Sequence, residues 1–248
     1  IDRGFAELHV HTTPGFAARL LREEAAEAGL DPFVATVSTA DRLAMLLERV
    51  DELSLRRHDL RGNPAAMLAG VVARIDRLKE ACVTPGQMTA WAQALPRDSE
   101  RSEREREFAA IYAAHDGMLR QENALDQGDL VLLATSLLER PDVRARTADR
   151  YRHVLIDDGQ DLPHAHLRLL LTLAGEHRGL TIAGDPDQAI VRARGAAAKN
   201  LDDVAAELPG TATIRLDVSQ RSRATIHTAA AAVVAPLAGH DAAPVRAP

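Results

Sequence analysis

Apolar and polar positions change rhythm several times along this chain, and the changes predict strands alternating with helices, interrupted by one long helical stretch. Residues 7–11 alternate well enough for a short strand, and the apolar spacing from Gly15 predicts a helix running to Ala28 and ended by Gly29. From Thr39 the pattern turns helical, with Leu43, Leu46, Leu47, Val50 and Leu53 recurring at three and four residues as an amphipathic stripe that Arg61-Gly62-Asn63-Pro64 breaks. Between Pro64 and Asn123 the pattern predicts no strand, only Ala, Leu, Arg and Glu at helical spacing, with Thr84-Pro85 as an N-cap and first helical residue. One more helix is expected from Asp126 through Leu137-Leu138. Short apolar runs near Val154, Thr181 and Thr213 then alternate with helical patterns at 165–173, 201–207 and 223–234, the rhythm of a parallel sheet. The Ala-rich, Pro-punctuated residues 236–248 are expected to fray.

Composition narrows the class. With 248 residues, 46% hydrophobic and 27% charged, the chain can bury one large core or two modest ones. A single cysteine, Cys82, excludes an internal disulfide framework and fits a reducing cytoplasm, and no apolar run approaches the roughly 20 residues that span a bilayer. The opening Ile1-Asp2-Arg3-Gly4 has neither an initiator Met nor signal-peptide character, so the chain is expected to be a fragment of something longer. A net charge of -6 argues against a surface that coats nucleic acid throughout, while leaving room for a local basic groove; aromatic residues, 3% of the chain, offer few stacking platforms for bases. The charge run over residues 97–107 alternates in sign and reads as a solvated helix face.

Candidate chemistry concentrates where apolar runs end in acids. Val154-Leu155-Ile156 is followed by Asp157-Asp158-Gly159-Gln160-Asp161, and Leu180-Thr181-Ile182-Ala183-Gly184 by Asp185-Pro186-Asp187-Gln188. Carboxylates at the C-terminal ends of neighbouring parallel strands sit in the crevice where open α/β sheets bind ligands, and a nucleotide-bound Mg²⁺ fits there. Asp157 and Asp158 taken alone also fit a solvated strand end.

In order, the chain reads Val154-Leu155-Ile156-Asp157-Asp158-Gly159-Gln160-Asp161, then Gly184-Asp185-Pro186-Asp187-Gln188-Ala189-Ile190-Val191-Arg192-Ala193-Arg194-Gly195-Ala196, then Leu216-Asp217-Val218-Ser219-Gln220-Arg221-Ser222. This resembles the superfamily-one DNA helicases of the UvrD, PcrA and Rep type, whose patterns are V-D-E-x-Q-D, G-D-x-x-Q-x-I-Y-x-F-R-G-A and N-Y-R-S. Upstream, Asp126-Gln127-Gly128-Asp129-Leu130 is similar to that family's D-F-x-D-L element, and His11-Thr12 with 16–21 resembles its T-F-H-S-F-A-x-R-L-L element.

The resemblance implies an α/β fold: a RecA-like parallel sheet of the P-loop NTPase type, incomplete, with an inserted all-helical subdomain. Residues 1–40 and 126–235 would form the motor domain and 41–125 the insertion. It implies ATP and Mg²⁺ as cofactors and DNA, single-stranded and at the duplex junction, as partner, in an ATP-dependent helicase of 3′ to 5′ polarity with a place in DNA repair. Asp157 would hold Mg²⁺, Asp158 would stand where the family's Glu orients the attacking water, Gln188 would sense the γ-phosphate, and Arg221 would brace the developing charge. Arg221 also fits a helix-start arginine paired with Asp217. Gln160, Asp161 and Asp185 would couple nucleotide state to the neighbouring motif, while Thr12 and Val191 would meet DNA and Arg194 would join its motif to DNA or to the acids; Arg194 also fits a plain surface turn.

Departures from the pattern matter. Asp158 is one methylene shorter than Glu, and a misplacement of about 1 Å can cost roughly a hundredfold in rate. Val191, Ala193 and Gln220 replace three aromatic side chains, and Thr13 and Pro14 replace Phe and His. No G-x-x-x-x-G-K-[S/T] run is present, and the second motor domain of the resembled family is missing, so these residues alone are expected not to unwind DNA. One alternative is a non-catalytic, DNA-binding scaffold of helicase fold. A remoter one rests on His9 and His11, which resemble the opening of the metal-dependent phosphoesterases of the polymerase-and-histidinol-phosphatase superfamily; two satisfied strand histidines are the bland form of that motif.

Overall fold

A computed structural model describes residues 8–31, 33–58, 62–97, 99–151, 153–175, 179–189, 200–208, 210–216 and 218–236. They form two compact units, one drawn from Ile1–Val154 and Pro163–Leu180, the other from Leu155–Leu162, Thr181–Arg192 and Ala196–Pro248. The described residues are mostly helical, with two small sheets of two strands each.

Helix starts in the first unit are set by side-chain caps. α1 (Thr13–Glu23) begins behind Thr12, whose hydroxyl accepts from the Gly15 amide, and buries Phe16, Ala17, Leu20 and Leu21 on one face. α2 (Ala25–Ala28) ends on Gly29 at φ 64, a left-handed residue that glycine adopts without steric cost. α3 (Thr39–Glu48), α5 (Pro85–Ala94) and α7 (Gln127–Leu138) each open with a capping box, Ser38 with Asp41, Thr84 with Gln87, and Asp126 with Asp129. α4 (Pro64–Glu80) starts from an Asn63 cap with Pro64 in its first turn, and α6 (Glu100–Gln121) from a Ser99 cap. β1 (Ala35–Thr36) and β2 (Ala124–Leu125) run parallel, pairing Ala35 with Ala124 and Thr36 with Leu125.

α7 is the central helix of this unit, packing against α1, α4, α8 (Pro141–Arg150) and α9 (His164–Ala174). Around it lies a core of Phe16, Leu20, Leu130, Leu138, Leu169 and their neighbours. A second core, built from Leu46, Leu68, Ile75, Phe108, Tyr112 and Met118 among others, holds α3 to α6 together. Charged side chains lie among these helices. Lys79 and Asp126, each 1% exposed, pair at 2.8 Å, and Lys79 also reaches Asp129 at 2.6 Å. Buried Arg42 meets Asp126 at 3.2 Å, Asp76 at 2.6 Å and the Nε2 of buried His115 at 3.0 Å. Burial opposes the charge on Asp126, yet Lys79 and Arg42 outweigh it and hold its carboxyl below the usual range; burial and the Asp126 charge push Asp129 the other way.

β3 (Val154–Ile156) and β4 (Leu180–Ile182) are joined by amides of Val154 and Ala183 donating to the carbonyls of Gly179 and Ile156; donors and acceptors advance together, the parallel sense. α10 (Asn200–Glu207) and α11 (Ala224–Val234) follow in the second unit.

Several expectations change. Residues 8–11 belong to no strand, and Glu7 lies outside the described residues. The helix expected over 15–28 breaks at Glu24, and the single helix after Asp126 is two, α7 and α8. Residues 211–216 form no strand near Thr213. The 97–107 face is not simply solvated. The Glu107 carboxylate accepts from the amides of Arg56, Arg57 and His58, and Arg106 donates to the Leu95 carbonyl. Burial raises Glu107 and these donors, led by His58, lower it further, leaving it below the ordinary carboxylate range. The end expected to fray, 236–248, lies outside the described residues from 237 onward.

Candidate functional site

Both acidic turns of the second unit follow directly from a strand. At the end of β3 the chain turns through Asp157 and Asp158 into a short 3-10 turn over Gly159–Asp161. At the end of β4 it passes Ala183 and Gly184 into a second such turn over Pro186–Gln188, which the Asp185 side chain caps by accepting from the Asp187 amide. The Gly159 amide donates to the Ala183 carbonyl at 2.9 Å, extending the strand pairing by one bond into the turns. Glycine is required at 159 because an added Cβ would fall on Ile182 Cγ2, so any side chain there would part the two turns.

An unbroken line of hydrogen bonds connects five of the predicted residues, Asp157, Asp158, Gln160, Asp185 and Gln188. Asp157 Oδ1 accepts from the Asp158 amide at 3.0 Å, and Asp158 Oδ1 accepts from Gln160 Nε2 at 3.3 Å. Gln160 Oε1 accepts from the Asp185 amide at 3.0 Å, and Asp185 Oδ2 accepts from Gln188 Nε2 at 2.7 Å. Exposure differs along the line: Asp157, Asp158 and Gln188 are exposed, Asp185 is half-buried, and Gln160 is 2% exposed. The line thus has a buried centre and two polar ends open to solvent.

Asp158 sits at φ 51, the left-handed region where few residues other than glycine settle and where Asp and Asn are the better tolerated. Asp161 Oδ1 is buried with no hydrogen-bond partner among the described residues. Arg221 is exposed, its amide donating to Ser219 Oγ at 3.3 Å, and no hydrogen bond or ion pair among the described residues joins it to Asp157, Asp158 or Gln188. Its alternative partner, Asp217, lies outside the described residues, as do Val191, Ala193 and Arg194.

The Asp157 carboxylate is the best placed for a divalent cation. It is exposed at a strand end, and among the described residues only one of its oxygens takes a protein hydrogen bond, leaving hard oxygen donor capacity of the kind Mg²⁺ prefers. No group of three or more His, Cys, Asp or Glu among the described residues is arranged to hold a metal by itself, which leaves water and phosphate oxygens to complete such a shell.

In the first unit, the Thr12 hydroxyl serves as the cap of α1, a structural task that sequence reasoning had not assigned to it. His9 and His11 stack with ring centroids 6.3 Å apart, and Arg19 Nη1 approaches His9 Nδ1 at 2.6 Å and His11 Nε2 at 3.4 Å. A guanidinium against both rings is the opposite of what a metal-binding pair needs, since it sets a cation where the metal would sit.

Sequence reasoning placed Gly184 in the motif without assigning it a task, although an added Cβ there would stand 2.7 Å from Gln160 Oε1, and it missed the buried group of Arg42, Lys79 and His115. Signals for the latter exist. Lys79 continues the stripe of Leu68, Val72 and Ile75, and Arg42 stands one turn ahead of Leu46, so both cations fall on apolar helix faces.

The profile of a protein family described as the UvrD/REP helicase N-terminal domain matches residues 2–209. Over 217 residues the chain is 31% identical to the ATP-dependent DNA helicase Rep of Escherichia coli, covering 87% of this chain and 30% of that protein. Over 241 residues it is 32% identical to the ATP-dependent DNA helicase UvrD1 of Mycobacterium tuberculosis, covering 93% and 30%. Over 230 residues it is 25% identical to the ATP-dependent DNA helicase PcrA of Leuconostoc citreum, covering 92% and 29%. The chain therefore spans less than a third of the length of these relatives.

Proposed function

Because the chain belongs to the UvrD/REP helicase N-terminal domain family, we propose that it supplies the ATP-facing acids of the first, RecA-like motor domain of an ATP-dependent DNA helicase. Residues 1–40 and 126–235 are assigned to that motor domain, and 41–125 to a helical insertion. The observation that carries the proposal is the hydrogen-bonded line from Asp157 through Asp158, Gln160 and Asp185 to Gln188, which holds carboxylate and carboxamide groups at neighbouring parallel strand ends.

Asp157 would hold Mg²⁺, whose charge neutralises phosphate oxygens when the nucleotide is bound. Asp158 orients the attacking water, Gln188 meets the γ-phosphate with its carboxamide, and Arg221 sets a planar guanidinium against charge developing in transfer. Gln160, Asp161 and Asp185 carry the state of one turn to the other. Thr12, Val191 and Arg194 face single-stranded DNA, which the motor follows 3′ to 5′ towards a duplex junction in the course of repair in the cytoplasm. A phosphate-cradling loop and a second motor domain, neither within these 248 residues, complete the nucleotide site in this scheme.

In the full-length protein, ATP hydrolysis is expected to rise on addition of single-stranded DNA and to fall by roughly two orders of magnitude in Asp157→Ala, as for loss of other groups that stabilise transferring charge. Hydrolysis unchanged by that substitution removes the site assignment. Strand displacement of a partial duplex with a 3′ tail, against one with a 5′ tail, tests the polarity.

A further inference from the structure

We infer that Gln160 is the positioning residue for Asp158, and that Gly184 is glycine to leave room for it. The inference rests on the assignment of Asp158 to the reacting phosphate.

Asp158 has an exposed carboxylate on a left-handed residue, and an exposed carboxylate with nothing to hold it samples several rotamers. Gln160 Nε2 is the side-chain group that meets it. The orientation of the carboxamide is fixed by its surroundings, because the Asp185 amide can only donate and so demands the oxygen, which turns the nitrogen to the carboxylate. Gln160 is 2% exposed and so cannot exchange either partner for water, which leaves it held more firmly than the exposed group it orients.

Gly184 is explained by the same contact. It is exposed and its φ lies outside the left-handed region, so backbone conformation does not demand glycine there. Space does. An added Cβ would lie 2.7 Å from Gln160 Oε1, 3.2 Å from Leu201 Cδ1 and 3.3 Å from the Gln160 amide nitrogen. The tightest contact is the tip of the carboxamide, so a methyl at 184 displaces that tip before it disturbs the fold.

The test uses the full-length protein, with ATP hydrolysis at saturating single-stranded DNA as the readout. Gln160→Ala is expected to lower kcat by about tenfold or more while leaving KM for ATP within about twofold, the range for groups that orient a functional residue rather than bind the ligand. Gly184→Ala is expected to do the same. The double variant is expected to be no slower than Gln160→Ala, because the methyl then has no carboxamide to displace; a purely structural role for either residue gives additive losses instead. If circular dichroism finds Gln160→Ala unfolded, Gly184→Ala decides: lost kcat with kept KM supports the positioning role, and wild-type kcat overturns it. Asp158→Asn separates the two levels. Wild-type kcat in Gln160→Ala and Gly184→Ala beside an inactive Asp158→Asn overturns the positioning role alone, whereas an active Asp158→Asn removes the assignment of Asp158 on which it rests.

Discussion

His115 shows how much a single buried group can impose. Burial, helped by the charges of Arg42 and Lys79, pushes its pKa down to about 3, while in an unfolded chain histidine titrates near 6.5. Between those values the unfolded chain takes up a proton that the folded one refuses. Stability is therefore fully present above about pH 6.5 and is lost as pH falls towards about 3, at up to about 1.4 kcal/mol per pH unit from this group. Urea unfolding midpoints at pH 7 and pH 5 are expected to separate clearly for the native sequence and to draw together for His115→Gln, which keeps an acceptor for Arg42 and does not titrate. Equal separations in the two proteins contradict the assignment. At this scale the sequence was legible in which residues lie together: Asp157, Asp158, Gln160, Asp185 and Gln188 were grouped from their order along the chain, and a single run of hydrogen bonds joins them. Arg221 was predicted with them, but no hydrogen bond or ion pair among the described residues joins it to that run. His115 was not legible, because a histidine on a helix gives no hint of which cations will surround it.

Helices and strands were legible in proportion to how local their causes are. The starts of α3 at Thr39 and of α5 at Pro85, and both ends of α9, were legible, since an N-cap or an apolar stripe lies inside one short segment; the end of α3 at Glu48 was not, because its stripe continues through Val50 and Leu53. The strand expected over 7–11 did not form among its described residues, and the two-residue strands β1 and β2 were unforeseen, because strand formation depends on a partner distant in sequence. Contact between α4 and α7 supplies a sharper test of packing. A Cβ added at Gly128 would stand 2.7 Å from Lys79 Cβ and Cδ. Alanine in a helix gains up to about 1 kcal/mol over glycine, but overpacking against a buried stem costs typically about 1–3 kcal/mol, and the stem of Lys79 cannot swing away while its ammonium is held by Asp126 and Asp129. Gly128→Ala is therefore expected to lower stability, read as a lower denaturant midpoint with the slope unchanged; a raised midpoint means that helix propensity dominates.

For the whole molecule, the α/β reading is supported in outline: the described chain is mostly helical with small parallel sheets, and it belongs to the family that its motifs resembled. What the alternation of strand and helix did not reveal is that α3 to α6 depend on charges supplied from outside their own segment. Lys79 is paired by residues 47 and 50 positions further on, and Arg42 meets Asp126 as well. That spacing has a consequence in time. Synthesis proceeds from the N-terminus, so α4 emerges with Asp76 for Arg42 but with Lys79 destined for the interior before either of its carboxylates exists. A buried ion without its partner costs several kcal/mol, enough to keep the second core open until Asp126 and Asp129 arrive. Chains arrested on the ribosome with Leu125 as the last exposed residue are expected to be cut rapidly by protease within α3 to α6, and chains that also expose α7 to resist. Lys79→Met, which removes one stranded charge, is expected to gain resistance at the shorter length, so that a clasp of the finished protein acts during synthesis as a clock for when its helical half closes.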